Sequence, residues 1–350
     1  MIFRKTLYIF FSLISAISAN AQIGGTSIYQ QLNLSNSART ASLGGENISI
    51  NDNDLNFVYQ NPALLNDSMS NNFALNYSNY FSDINYGYMS YAKNFKNIGN
   101  FAIGFFNVNY GDFIEADETG EILGNFECKD YALNFAFSKK LADNFTAGVE
   151  LKPLFSKYQT YSSFGLAFDL GANYFKNGLS IALVANNIGT QIKPFVKGNI
   201  EPMPFEIQAG ISQKLKHAPF RFSVTLHNLQ KYDLTYENPN AQDNYSSLVD
   251  DTTTTKGNSI GNIADNLMRH IVLGVELMPT KNFFVNVGYN YQVRQEMKIS
   301  TRGSIVGLTW GFGIKISKFR ISYANGIQHL AGHSNYFSIT TNLNEFIGKK

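Results

Sequence analysis

The sequence is poor in cysteine, in net charge and in long apolar runs. Cys128 is the single cysteine, so no disulfide can form within the chain. After residues 1–21 there is no run of eighteen apolar residues, and no helical membrane span is predicted. Removing Arg4 and Lys5 with that leading segment leaves 26 of the 28 basic residues against 26 acidic ones. This balance gives no sign of a nucleic-acid-binding surface.

Residues 1–21 have the three ordered regions of a Sec signal peptide. Arg4 and Lys5 form a basic start, Leu7–Ile17 is apolar, and Ala19-Asn20-Ala21 is a small-residue cleavage site. The sequence therefore predicts export, with the mature chain beginning at Gln22. No cysteine follows the cleavage site, so no lipoprotein anchor is predicted.

Aromatic residues are abundant, with 29 Phe and 20 Tyr, and they fall in alternating runs. In the stretch FGLAFDLGANYF, apolar side chains from Phe164 to Tyr174 occupy every second position. The positions between them, such as Asp169 and Asn173, are polar or small. A period of two is typical of a strand with two different faces. Many runs reach ten residues, which suits a tilted membrane strand of about 9–11 residues better than a soluble strand of about 5–6.

About fourteen such runs are predicted. They lie near residues 73–80, 84–93, 98–110, 123–138, 144–157, 163–175, 178–188, 203–215, 219–232, 269–278, 283–295, 303–315, 317–327 and 334–343. Links after even-numbered runs are short, whereas links after odd-numbered runs include the long segments 111–122, 189–202 and 233–268. Short periplasmic turns alternating with long outer loops are typical of outer-membrane barrels. We predict an all-β fold, a transmembrane antiparallel β-barrel in the outer membrane.

The lumen of such a barrel is too wide for strand side chains alone to fill. Residues 22–72 precede the first strand and carry Gly44, Gly45 and the triplet Asn61-Pro62-Ala63 among apolar residues. Short, turn-punctuated chain of this kind favours a lumenal plug, which the link pattern would place on the periplasmic side. The predicted organisation is a signal peptide, a plug over 22–72 and a barrel over 73–350 with a long surface loop at 233–268.

Charged residues on the polar strand faces are predicted to point into the lumen. They are Glu150, Lys152, Asp169, Glu206, Lys214, Arg221, Glu276 and Lys315. Salt bridges inside the barrel are one interpretation, and a polar translocation path is the other. We also expect Arg39 of the plug to pair with a lumenal carboxylate. No catalytic constellation, cofactor motif or metal-ligand set stands out, so no enzyme activity, cofactor or metal is predicted.

The plug region carries Ser37-Ala38-Arg39, Leu43-Gly44-Gly45 and Asn61-Pro62-Ala63 within a stretch that runs on through Tyr91. With these motifs the chain resembles the PorQ-like outer-membrane components of the type IX secretion system of Bacteroidetes. It is similar to the wider family that includes PorV and the FadL-type barrels. The resemblance implies a fourteen-stranded barrel with an N-terminal plug.

The resemblance also implies a role in the attachment complex that processes secreted cargo and links it to the cell surface. Its partners would be a PorZ-type surface protein and members of the PorU and PorV type. We expect the surface loop 233–268 to carry the partner contacts, with Tyr236, Tyr245, Asp250 and Asp251 as candidates. The alternative is FadL-like transport of hydrophobic small molecules. A general porin is a third interpretation, which the predicted plug disfavours.

Overall fold

The computed structural model describes residues 27–235, 259–297, 305–329 and 332–346. The predicted signal peptide lies outside these residues. So do the four candidate partner contacts Tyr236, Tyr245, Asp250 and Asp251. Neither prediction has a structural account.

Fourteen antiparallel strands close into one barrel, with the first strand paired to the last. The strands are β1 (Asn72–Asn79), β2 (Asn85–Phe95), β3 (Gly99–Ala116), β4 (Ile122–Ala142), β5 (Phe145–Tyr158), β6 (Tyr161–Lys176), β7 (Leu179–Lys193), β8 (Glu206–Lys214), β9 (Phe220–Leu226), β10 (Ile271–Thr280), β11 (Phe283–Asn290), β12 (Leu308–Ile316), β13 (Phe319–His329) and β14 (Gly332–Asn342). Each strand pairs with its neighbours in sequence, so the barrel is a simple meander. The predicted fold class is confirmed.

The alternation of short and long links gives the barrel two different ends. Links after even-numbered strands, such as 143–144, 177–178 and 281–282, are tight turns. Asn177 and Gly178 both have positive φ, as a two-residue hairpin turn requires. We call this the short-turn end and the opposite one the long-loop end.

Several predicted boundaries were wrong, most of them at the long-loop end, where for example run 219–232 ends as a strand at Leu226. Helix α3 (Tyr291–Met297) replaces the end of run 283–295, and the Asn290 side chain accepts a hydrogen bond from the Val293 N–H at its start. Helix α2 (Ser259–Arg269) lies within the predicted loop 233–268. The strands around link 111–122 extend to Ala116 and restart at Ile122. Beyond the bilayer no lipid face enforces alternation, so local propensity decides.

The outer face of the barrel is apolar and the inner face is polar or small. On β6, Phe164, Phe168 and Leu170 are exposed, whereas Ala167 and Asp169 are buried. Exposed apolar side chains recur on every strand, and such a belt is the surface that lipid covers in an outer-membrane barrel. No helix among the described residues is long and apolar enough to span a membrane.

Residues 27–71 fill the lumen, and we call them the plug. The plug contains helix α1 (Ala38–Ser42) and short 3-10 helices at Gln30–Asn33, Leu55–Tyr59, Pro62–Leu64 and Asp67–Met69. Its apolar residues, such as Phe57 and Leu64, are buried. The plug reaches both ends of the barrel, and its expected periplasmic placement stays a prediction. The Ile28 N–H donates to the Pro202 carbonyl at the long-loop end, whereas Asn71 meets β2 at the short-turn end.

Candidate functional site

The triplet Asn61-Pro62-Ala63 packs against two glycines of the barrel wall. Gly148 of β5 and Gly171 of β6 are cross-strand partners. A Cβ atom on Gly148 would overlap the Pro62 backbone, and one on Gly171 would overlap the Asn61 side chain. The plug backbone therefore touches the wall at a distance that only glycine permits.

Asn61 shapes this contact from the plug side. Its Oδ1 accepts the Ala63 N–H at 2.9 Å, and its Nδ2 donates to the Ile48 carbonyl at 2.9 Å. The first bond caps the 3-10 helix that begins at Pro62, a residue suited to the first helical position. The second ties two segments of the plug together.

Leu43-Gly44-Gly45 makes a second close contact with the opposite wall. Gly44 and Gly45 both have φ of +96°, which favours glycine. The Gly44 N–H donates to Oγ1 of Thr309 at 3.0 Å. A Cβ on Gly288 of β11 would overlap the Gly44 nitrogen, so this wall position is also restricted to glycine.

Arg39 is the centre of a buried ion cluster. Its Nε and Nη2 donate to the two carboxylate oxygens of Glu276 on β10, at 2.9 and 3.0 Å. It also contacts Asp52 at 2.7 Å and Asp54 at 3.0 Å. Arg221 of β9 contacts both Asp52 and Glu276 at 2.9 Å. The expected pairing of Arg39 with a lumenal carboxylate is confirmed.

The cluster keeps Asp52 ionised although it lies inside the barrel. Burial alone would raise the pKa of Asp52, but the guanidinium groups of Arg39 and Arg221 outweigh that effect and hold the pKa far below its usual range. Arg39 also lies over the rings of Phe57 and Phe284, with its Cζ 5.0 and 5.1 Å from the ring centroids. The plug is therefore fixed to the wall by charge as well as by shape.

A second buried charge lies on the wall at Lys152 of β5. Its Nζ is 2.5 Å from Asp169 and 3.7 Å from Glu150, and it lies 5.1 Å from the ring centroid of Tyr59. These inward charges form ion pairs, which favours the salt-bridge interpretation over an open polar path. Lys214 is exposed and Lys315 half-buried instead, beside cavities at the short-turn end.

An apolar pocket lies between plug and wall at the long-loop end. Its volume is about 240 Å³, and Gly44 and Gly45 are among its lining residues. Apolar and aromatic side chains make most of its surface: Leu34, Tyr80, Phe81, Tyr86, Val293, Met297 and Tyr336. The rings of Tyr80 and Phe81 are 4.6 Å apart, and those of Tyr80 and Tyr86 are 6.0 Å apart. Asn33, Ser35, Glu46 and Asn290 add polar groups to the lining. The pocket therefore suits an uncharged ligand that is mainly apolar.

The structure brings five of the six predicted plug residues against the wall: Arg39, Gly44, Asn61, Pro62 and Ala63. Gly45 bonds within the plug instead, where its N–H donates to the Thr40 carbonyl. The wall side of the same contacts was missed, namely Gly148, Gly171, Gly288 and Thr309. The signal that could have found them is glycine at inward-facing strand positions. Pocket residues such as Tyr80 and Val293 were missed because they come from segments far apart in the chain.

No protein-family model and no curated protein sequence matches this chain. Solved structures do match. The Pseudomonas putida toluene transporter TodX superposes with a TM-score of 0.52 and 10% identity, covering 89% of this chain and 99% of that one. The CymD monoaromatic hydrocarbon channel gives 0.50 and 12% identity, with 89% and 98% covered. A Pseudomonas aeruginosa FadL homologue gives 0.47 and 12% identity, with 91% and 100% covered.

At these identities the likeness shows a shared fold and no more. The chain has the closed fourteen-strand barrel of these channels, and the fold part of the expected resemblance to FadL-type barrels is confirmed. The resemblance to type IX secretion components stays a prediction.

Proposed function

We propose that this protein is an outer-membrane barrel that binds a hydrophobic small molecule between plug and wall and admits it through the barrel. The observation that carries the proposal is the apolar pocket at the long-loop end. The alternative function weighed from the sequence is thus favoured over a surface anchor. The proposal takes support from the fold shared with a toluene transporter and a monoaromatic hydrocarbon channel.

The size and chemistry of the pocket indicate the ligand class. An apolar cavity of about 150 Å³ is enough to bind benzene, and this pocket holds about 240 Å³. One hydroxyl is already satisfied, since the Tyr86 Oη donates to the Ser35 carbonyl at 3.1 Å. Burial raises the pKa of Tyr80, so its phenol stays neutral at physiological pH. A monoaromatic or short acyl ligand fits this lining.

The presence of the plug favours selective passage of a bound ligand over free diffusion of many solutes. It meets the wall through backbone contacts at Gly148 and Gly288, and through the Arg39–Glu276 ion pair. A lumen occupied in this way suits a ligand that binds at a defined place. It does not suit a general porin, whose wide water-filled channel passes many solutes.

The pocket is tested by filling it. Val293 lines it from α3, and Val293→Trp places an indole in the cavity. Val196→Trp is the matched control, because Val196 is an exposed loop residue at the same end. We expect purified wild-type protein in detergent to bind toluene, with affinity reduced more than tenfold in Val293→Trp alone. Equal binding by wild type and both variants would place the ligand elsewhere.

A surface-anchor function is the second candidate, and one observation favours it. Strands β3 and β4 continue past the barrel as a two-stranded ribbon over residues 110–127, paired only with each other. The ribbon exposes Phe113, Ile114, Ile122 and Leu123. Exposed apolar groups on a projecting ribbon are suited to a protein partner. Such a partner would be of the PorZ type, with PorU- and PorV-like proteins nearby.

Two variants separate the partner surfaces. Deleting residues 233–268 tests the surface loop, and Ile114→Lys with Ile122→Glu tests the ribbon. If the anchor function holds, one of them releases a surface protein while the barrel still inserts. Retention of that protein by both variants would remove both surfaces from consideration.

A further inference from the structure

Three potential metal ligands from distant parts of the chain meet at the long-loop end. Glu46 belongs to the plug, Glu206 begins β8, and His227 follows the end of β9. The His227 Nδ1 lies 3.5 Å from Glu46 Oε2 and 3.8 Å from Glu206 Oε1. The three candidate ligand atoms all lie within 4.8 Å of one another.

The tautomer of His227 leaves its Nδ1 facing the two carboxylates. The Nε2 lies 2.9 Å from the Arg269 carbonyl oxygen, which can only accept, so Nε2 carries the proton. In the neutral ring, Nδ1 then carries a lone pair that faces the carboxyl groups of Glu46 and Glu206. All three groups are electron-pair donors, and a cation between them would bind to each. The Asn228 amide also lies 3.1 Å from Nδ1, and a bound ion would replace that contact.

A small cavity beside Glu46 and Glu206 is an independent indication of a ligand. Asn186 is only 8% exposed, and its Oδ1 has no hydrogen-bond partner among the described residues. It lines a cavity of about 20 Å³ together with Glu46 and Glu206. That volume suits one small particle, such as an ion or a water molecule. Lys152 lines the same cavity, but Asp169 holds its ammonium group at 2.5 Å.

We propose that Glu46, Glu206 and His227 bind one divalent transition-metal ion of the Zn²⁺ class. One imidazole and two carboxylates suit Zn²⁺ or Mn²⁺ better than Mg²⁺. With bonds of about 2.0–2.2 Å, ligand atoms in a four-coordinate site lie roughly 3.3–3.6 Å apart. The 3.5 and 3.8 Å separations therefore need only small adjustments.

The ion would act as a clamp between separate segments of the chain. Glu46 directly follows Gly45 of the plug, whereas Glu206 and His227 belong to the wall. The carbonyl that orients His227 belongs to Arg269, the last residue of α2. Binding would thus hold the plug, the wall and the base of the surface loop together. The inference does not depend on the proposed ligand of the apolar pocket.

The test is metal retention by the full-length purified protein. The protein is stripped with a chelator, incubated with Zn²⁺, desalted, and its metal content is measured by mass spectrometry. Wild type, Glu46→Gln and His227→Gln are compared with His217→Gln, which removes an exposed histidine at the short-turn end. We expect one zinc per chain in wild type and the control, and at least tenfold weaker binding in the other two.

Folding is monitored separately by the heat-dependent gel shift of the intact barrel. Zn²⁺ should raise the temperature of that shift in wild type and His217→Gln, and not in Glu46→Gln. Equal zinc retention by all four proteins would overturn the site, as would the absence of stoichiometric zinc in folded wild type. Retention of Ca²⁺ in place of Zn²⁺ would overturn the transition-metal assignment.

Discussion

Arg39 of the plug and Glu276 of β10 form a two-point ion pair inside the barrel, with N–O distances of 2.9 and 3.0 Å. Both side chains are almost fully buried. Their separation in sequence means that the pair forms only when the plug lies in the closed barrel. The presence of the pair therefore indicates that plug and wall are correctly assembled.

Breaking this pair should destabilise the protein strongly. Arg39→Met leaves three carboxylates with the Arg221 guanidinium beside two of them. Loss of one partner of a buried pair typically costs about 3–5 kcal/mol. The midpoint of the heat-dependent gel shift should fall accordingly. Lys129→Met removes an exposed pair with Glu127 and should cost less than about 1 kcal/mol.

A double-mutant cycle measures the interaction free energy between Arg39 and Glu276. Arg39→Met with Glu276→Gln should cost clearly less than the sum of the single changes, because each single change alone upsets the charge balance of the buried cluster. Additive effects would show that the pair is not coupled. Restoration will be incomplete, since Asp52 and Asp54 also contact Arg39.

Wall glycines should not tolerate a side chain where the plug lies against them. In Gly148→Val the new side chain overlaps Pro62, and overpacking of this kind costs about 1–3 kcal/mol. Gly124→Val is the control, because no atom lies within 4 Å of a Cβ there. We expect Gly148→Val alone to lower the gel-shift midpoint and to expose plug residues to protease. Similar behaviour of the two variants would contradict the close fit.

The plug should be what closes the lumen. Wild-type protein in planar bilayers should show little steady conductance, and a variant lacking residues 27–66 should conduct like a wide pore. Deletion of 112–126, in the ribbon, is the control and should leave the barrel closed. Large steady conductance of the wild type would revive the porin interpretation.

Glu46 should give the metal-free protein a distinctive pH dependence. Burial raises its pKa to about 7, against about 4.3 in the unfolded chain. The folded state favours the protonated form, so its contribution to stability is full below about pH 4.3, is lost as the pH rises to about 7, and stays lost above. Glu46→Gln should weaken this dependence and stabilise the chelated protein by about 1–3 kcal/mol at pH 8. An unchanged pH profile of unfolding would contradict the burial of this carboxyl.

The sequence predicted the strands well wherever contact with lipid constrains which residues can face outward. Lipid requires an apolar outer face, so alternation marked strands such as β6 closely, and the parity of short and long links marked the two ends. Outside the bilayer, assignment of strands from alternation failed. Helix α3, for example, was predicted to continue strand β11. Alternation does not distinguish Tyr291 and Val293 in a strand from the same residues in a helix.

The candidate sites were only half visible from the sequence. The plug residues stood out as local motifs, such as Asn61-Pro62-Ala63. The wall residues that receive them depend on strand register and on which positions face inward. Glu46, Glu206 and His227 illustrate the limit, because no metal was predicted from residues so widely separated. Only the closed barrel brings them within reach of one ion.

The most direct test of the account is to identify what the barrel carries when it is gently extracted from the outer membrane. Native mass spectrometry of the affinity-purified protein measures bound small molecules and bound proteins together. The account predicts a hydrophobic small molecule on the wild-type barrel and its loss in Val293→Trp. A large surface protein recovered with sortase-like partners, and no small molecule, would contradict it and establish the anchor function instead.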